Sequence, residues 1–279
     1  MVSGPAHPST LGPLSLASVQ VDVATRLGAP AKLTATGFRG LDALLFGGLR
    51  NGTSLGIVGA SGSGRTAVAL MLAYMAARTQ AGVCFAARGL DETELVARLA
   101  ARALRKSYPS SELTYGDIWS GNALGTDAVR RAVSAAVETV VEKIGQHFYF
   151  STLTAGTSLD EWVERSVQLW ARYERMVLVF DDIEGLLAPG EPLDSGLLRI
   201  GYQLKSLAEQ GCSVVFTVLD VHTPLIAPTA SALCRLHSQG SPGDRGRRHL
   251  EIELFKNRLG ATGAVSLEVL FGATEFTEI

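Results

Sequence analysis

Two short stretches carry residue types that could do chemistry. Residues 59–66 read Gly-Ala-Ser-Gly-Ser-Gly-Arg-Thr, directly after an apolar run and directly before a helical stretch. Glycines at this spacing let successive backbone N–H groups turn inward around an anion, and the N-terminus of the following helix adds its partial positive charge. The stretch matches the phosphate-loop pattern G-x-x-x-x-G-K-[ST] everywhere except the lysine, where Arg65 stands. Gly59, Ala60, Ser61, Gly62, Ser63, Gly64, Arg65 and Thr66 are therefore the candidate phosphate-binding residues, and the Thr66 hydroxyl is a candidate magnesium ligand. Arg65 keeps the positive charge, but its planar fork is bulkier than an ammonium, so binding with slowed phosphoryl transfer is expected. The second stretch is MVLVF at 176–180 followed by Asp181 and Asp182. An acid at the end of such a strand holds magnesium, usually through water, beside the loop hydroxyl. Asp181 directly follows the strand and is the first choice, with Asp182 the neighbouring alternative; the bland reading is an aspartate capping the next helix.

The elements that must position these residues alternate along the chain. Short apolar runs at 54–58, 83–87, 148–151, 176–180 and 213–218 precede or follow helical stretches near 65–79, 91–105, 127–144, 159–173 and 194–209. Such alternation predicts an α/β fold with a mainly parallel sheet covered by helices on both faces. The last fifty residues change character: ALCRLHS, HLEIELFK, AVSLEVL and EFTEI are separated by glycine-rich turns, which predicts an antiparallel meander at one sheet edge. The loop GSPGDRGRR, with Arg245, Arg247 and Arg248, reads as a solvated hairpin tip. Residues 1–33, rich in Pro, Gly, Ser and Ala, read as a flexible arm, leaving 34–279 as the domain.

Composition narrows the function classes. A formal charge of −2 gives no electrostatic reason for sequence-blind binding to nucleic acid or anionic membrane. The three cysteines, Cys84, Cys212 and Cys234, are far apart in or beside apolar runs, which argues against a disulfide framework or metal cluster and for a reducing compartment. Export-signal and anchor patterns are not met, so no membrane association is expected and a cytoplasmic setting is. The five histidines show no ligand spacing. A dinucleotide-binding reading of GASGSG wants an acidic or basic ribose reader after the second strand and a Tyr-x-x-x-Lys pair. The chain offers Ala86, Ala87 and Arg88 at that strand end, and its Tyr202 and Lys205 are only three apart.

The stretch TGFRGLDALLFGGLRNGTSLGIVGASGSGRTAVALMLAYMAA (36–77) resembles the opening of the C-terminal, RecA-like ATPase domain of DnaB-type replicative helicases, and more distantly RadA and KaiC. At the far end, KNRLGATGAVSLEVL (256–270) and the closing T-E-F (274–276) look like that family's terminal hairpin. The resemblance spans roughly 34–279. It implies a RecA-like P-loop core that uses ATP and Mg2+, assembles with copies of itself as a ring or filament, and acts on single-stranded DNA with replication or recombination proteins. It also implies that Lys256 and Arg258 reach the γ-phosphate in the neighbouring subunit.

The sequence departs from the family's pattern at three catalytic parts. Arg65 replaces the lysine; Gly89 falls where the family carries its water-activating glutamate, with Asp91 and Glu92 nearby; and Thr217 and Asp220 stand where a Ser-Gln sensor is found. Between Leu186 and Arg235, where channel loops are expected, the cations are Arg199, Lys205 and Arg235. These departures keep open an alternative, a catalytically degenerate nucleotide-dependent assembly or switch protein, with a Rossmann-type oxidoreductase the third reading.

Overall fold

The computed structural model describes residues 15, 20, 31–122, 125–154, 157–239 and 246–279. Leu33–Ile279 forms one compact unit. Of the other unit, Met1–Lys32, only Ser15, Gln20, Ala31 and Lys32 are described, all exposed, so the expected arm falls largely outside the described residues, as do His7 and Arg245.

In chain order the elements are β1 (Leu33–Thr34), α1 (Arg39–Leu44), β2 (Leu49–Arg50), β3 (Thr53–Gly59), α2 (Arg65–Arg78), β4 (Gly82–Ala87), α3 (Glu92–Ser107), α4 (Tyr115–Trp119), α5 (Asp127–Ile144), β5 (Phe148–Thr152), α6 (Leu159–Trp170), β6 (Met176–Asp181), a 3-10 turn (Ile183–Leu186), α7 (Leu193–Glu209), β7 (Ser213–Leu219), a second 3-10 turn (Asp220–His222), α8 (Thr223–Ile226), β8 (Ala232–Gln239), β9 (Arg248–Asn257), β10 (Gly263–Leu270), a third 3-10 turn (Phe271–Ala273) and β11 (Glu275–Glu278). Among the described residues β3 to β11 form one sheet in the order β11-β10-β9-β8-β3-β7-β6-β4-β5. From β8 to β5 every neighbouring pair is parallel, and β8, β9, β10 and β11 pair antiparallel. The mainly parallel sheet with an antiparallel C-terminal edge agrees with the expected fold class; β8, expected within the meander, runs parallel to β3 and joins the two parts.

Strand residues alternate between two cores because successive side chains point to opposite faces. Ile57, Val83, Phe85, Val177, Val179 and Val215 face α2 and α3. Val58, Cys84, Ala86, Leu178, Phe180, Val214 and Phe216 face α6 and α7. Gly56 sits in the middle of β3 because a Cβ there would lie 2.5 Å from Leu233 and 2.6 Å from Phe216. Phe85 and Phe180 are fully buried, and truncating either to alanine costs about 3–5 kcal/mol. Helix starts are set locally. The Asp91 carboxylate accepts the Glu94 N–H at 2.7 Å at the head of α3, and Thr114 with Asp117 forms a reciprocal capping box at α4.

One charge pattern was misleading. Arg248 is not part of a solvated tip: it opens β9, is 9 % exposed, and lies over the Phe271 ring at 5.6 Å. Its aliphatic stem and flat guanidinium suit an aromatic surface, which a polarity pattern does not reveal. Arg247 is exposed and pairs with Glu268 and Glu275 at 3.6 and 3.5 Å. Among the described residues no helix is long and apolar enough to cross a membrane.

Candidate functional site

The glycine loop closes as the sequence suggests. Gly59 ends β3, the Ser63 N–H donates to the Ala60 carbonyl at 3.2 Å, and the α2 ladder begins with Val68 N–H on the Gly64 carbonyl at 3.0 Å. Gly64 takes φ +94°, a left-handed conformation that lets the chain turn sharply into the helix. No side chain caps α2, and its first turn holds no acid, so its leading amides face outward without a competing acceptor. Ser63 Oγ and Arg65 Nη1 are buried without a hydrogen-bond partner. Buried polar groups are costly unless paired, so these two, beside uncapped amides, fit a bound phosphate.

Asp181, the last residue of β6, is 3 % exposed and accepts the Thr217 hydroxyl at 2.8 Å. Burial raises its pKa, while hydrogen bonds from Thr217 and Thr66 and the charges of Arg65 and Arg98 pull the other way. Thr66 and Asp181 are thus brought together, a hydroxyl and a carboxylate of the kind that suits a hard divalent ion. Asp182 is turned elsewhere. It adopts φ +66°, and its N–H donates to Thr217 Oγ1 at 2.7 Å. Its pKa is pushed up to about 6, chiefly by burial and then by the neighbouring Glu184 carboxylate. Glu184 Oε1 accepts the Leu219 N–H at 2.7 Å and lies 2.9 Å from His222 Nδ1. Burial raises the Glu184 pKa, but its hydrogen bonds with Asp182, Leu219 and His222 outweigh this and hold it below its usual value.

The other singled-out residues are scattered. Gly89 is exposed and follows the exposed Arg88; Asp91 caps α3, and Glu92 is exposed. Thr217 bridges the two aspartates, and Asp220 pairs with Arg235 Nε at 3.0 Å. Lys256 and Arg258 lie at the opposite end of the sheet: Leu55 is level with Ala232, and Ala232 with Asn257, four residues below Gly59 on β3. At a strand rise of about 3.3 Å per residue, roughly 13 Å separates that level from the loop. The Lys256 ammonium is committed within its own chain, donating to the carbonyls of Ala227 and, at 2.8 Å, Ala230. Burial and the nearby Arg258 lower its pKa. Arg258 is exposed, anchored by its N–H on the Ser231 carbonyl at 2.9 Å.

Sequence reasoning missed three residues. Phe271 packs against Gly64, Arg248 lies beside Phe271, and Arg98 acts on Asp181. Arg248 was read from the sequence as part of a solvated tip, and Phe271 and Arg98 were not singled out. A cleft of about 430 Å³ opens over the loop, lined by Gly59–Ser63 together with Asp220, Arg235, His237 and Arg248. Two larger clefts, about 610 and about 640 Å³, lie between β5 and α6 and beside the 3-10 turn Phe271–Ala273. Neither touches the glycine loop, and the chemistry of the donors, not the volume, singles out the smaller one.

A parallel sheet, a glycine loop at the end of β3 and an acid two strands away define a RecA-like P-loop core. The fold is that of DnaB-type ATPase domains. The chain superposes on "ATPase Domain of G40P" with TM-score 0.76 and 17 % identity, covering 95 % of this chain and 99 % of that one. On a DnaB-like replicative helicase, described with its interactions with primase, the values are 0.73 and 16 %, covering 95 % of this chain and 67 % of that one. No family model and no curated protein matches the sequence.

Proposed function

We propose that the chain binds ATP with Mg2+ at residues 59–66 and works as a DnaB/RecA-like ATPase, assembled as a ring or filament and acting with DNA in replication or recombination. The observation that carries this reading is the pair of buried, unpartnered groups, Ser63 Oγ and Arg65 Nη1, beside the Thr66–Asp181 contact. Magnesium, when bound, would offset the charge of the phosphates. Thr66 and Asp181, the latter in preference to Asp182, would hold it. Arg65 binds the terminal phosphates. Arg258 acts across the interface, with Lys256 fixing the turn that presents it. Buried free thiols at all three cysteines suit a cytoplasmic setting. Calorimetry with Mg·ATP tests the reading: the unmodified chain gives a saturable binding heat, Arg65→Ala loses it, and absence of heat at millimolar ligand defeats it.

A second reading, ATP as an assembly ligand or switch with negligible turnover, is favoured by how the charges are spent. Asp91 is spent capping a helix, which leaves the exposed Glu92 as the acid near Gly89 with no such commitment among the described residues. Arg199 is held by both oxygens of Glu191, Arg235 by Asp220, and Lys205 lies 3.9 Å from Glu209. All three cations between Leu186 and Arg235 are thus partnered, which weakens a phosphate-holding channel. Phosphate release with and without single-stranded DNA separates the readings: DNA-stimulated turnover supports the first, and ATP-dependent assembly without release supports the second.

A further inference from the structure

Helices α2, α3 and α5 pack against the same face of the sheet, and each carries a cation in its last turn: Arg78, Lys106 and Lys143. All three are exposed and have no ion pair among the described residues. They meet around a fourth cation. Arg102, one turn before Lys106 on α3, is 5 % exposed; its guanidinium lies 5.3 Å from the centre of the Tyr74 ring on α2, and that of Arg78 lies 5.9 Å from the same ring. Arg102 Nη1 donates to the Thr274 carbonyl at 3.1 Å, which fixes its charge beneath the other three. The Lys106 pKa is lowered, first by Arg102, then by burial, Arg78 and Lys143, with Glu275 opposing. A cation in a last turn offsets the helix dipole, which accounts for each one singly but not for four drawn together against their mutual repulsion. Tyr108, which ends α3 just beyond them, is 56 % exposed. Helix α2 is 14 residues long, so at about 1.5 Å per residue the patch stands roughly 20 Å from the loop that opens the helix.

We propose that the joined ends of α2, α3 and α5 hold single-stranded nucleic acid, with Arg78, Lys106 and Lys143 on backbone phosphates and a base stacked on Tyr108. This deepens the DNA half of the proposed function and rests on that half, not on the nucleotide site. Cations outside any ion pair neutralise phosphates and release the strand's counter-ions without first breaking a bond of their own. An exposed ring beside them offers a face that any base can cover. An acidic protein segment would use the charges and leave the ring idle, so the ring favours nucleic acid. Arg102, being buried, does not touch the strand; it is a fixed charge that raises the local potential. The cations between Leu186 and Arg235 offer no such surface, because Arg199, Lys205 and Arg235 already face Glu191, Glu209 and Asp220.

The test is fluorescence anisotropy of a labelled oligo-dT titrated with the full chain across a salt series. The side chains changed are exposed, so the variants are expected to melt with the unmodified chain. Lys106→Ala with Lys143→Ala is expected to cost roughly tenfold in affinity at low salt and to flatten the slope of log affinity against log salt by about 1.4, at about 0.7 for each phosphate contact on a single strand. Tyr108→Ala is expected to lose roughly tenfold with the slope unchanged, because stacking releases no ions. Arg199→Ala with Lys205→Ala is expected to change neither. A chain that binds oligo-dT and keeps its affinity and slope without Lys106 and Lys143 overturns the proposal, as does a loss confined to the Arg199 and Lys205 variant. Displacement by poly-glutamate as readily as by unlabelled oligo-dT, with Tyr108→Ala neutral, marks an acidic protein partner and also overturns it. An unmodified chain that binds no oligo-dT, alone or with a non-hydrolysable ATP analogue, defeats the DNA half of the proposed function itself, a result distinct from the others.

Discussion

Phe271 lies against Gly64 so closely that a Cβ on the glycine would stand 2.3 Å from the ring. The last turn of the phosphate loop is therefore pressed into shape from behind by the C-terminal segment. Gly64→Ala meets two penalties, the left-handed φ of +94° and the ring. The first alone costs about 1–2 kcal/mol. The expected outcome is a lowered melting temperature together with loss of nucleotide binding. Phe271→Ala added to Gly64→Ala relieves only the ring contact, so binding recovers in part while the backbone penalty remains. Thermal melts and nucleotide titrations on the single and double variants check this.

Thr217 holds both aspartates with one hydroxyl, donating to Asp181 and accepting from the Asp182 N–H. Thr217→Val keeps the shape and removes both bonds in a site 1 % exposed. An unfolding free energy lower by about 1–3 kcal/mol is expected, the usual penalty for buried groups left unpaired. Asp181, already raised by burial, loses a bond that favours its carboxylate, so the magnesium needed for half-maximal ATP binding rises. Denaturant unfolding and a magnesium titration report the two effects separately.

The carboxyl pair gives a pH dependence with opposite signs. Asp182 titrates near 6 in the fold, above its usual value, so its proton stabilises the folded chain; that stabilisation is complete below the unfolded pKa near 4 and is lost as pH rises through about 6. Glu184 is held below its usual value, so its contribution is present above pH 4.5 and is lost as pH falls through its folded pKa. The ligand-free chain is therefore expected to lose stability between pH 4.5 and 7, and Asp182→Asn to flatten that slope while leaving the fall at lower pH. Melting temperatures across pH 4 to 8 for the two proteins measure it.

Much of this was legible from local patterns. Helix α5 occupies the amphipathic stretch 127–144, and the apolar runs became β3 to β7, because periodicity and burial are properties of neighbouring residues. The loop was legible for the same reason, its pattern residing in eight consecutive residues. Contacts between distant segments were not. Nothing near Phe271 says that it will meet Gly64, and nothing near Lys256 says that its ammonium will serve the carbonyls after α8. Asp181 was the first choice from its place directly after the apolar run, but the φ of +66° that swings Asp182 toward Glu184 was out of reach.

Arg258 supplies the sharpest test of assembly. It sits level with the start of β3, about 13 Å of strand from the loop at Gly59, and is exposed, so it cannot serve its own pocket. A role at the γ-phosphate must then be played in a neighbour, and that has an arithmetic consequence. Arg258→Ala leaves a chain with an intact pocket and no arginine to lend; Arg65→Ala leaves one with an arginine to lend and a crippled pocket. Each alone is expected to release phosphate at less than roughly a tenth of the unmodified rate, given what a transferred arginine contributes. Mixed in equal amounts and assembled at random, roughly one interface in four joins an intact pocket to an intact arginine, so about a quarter of the unmodified rate returns. Recovery that disappears on dilution below the assembly concentration marks the arginine as acting in trans; a mixture no more active than the mean of its parts removes Arg258 from the site.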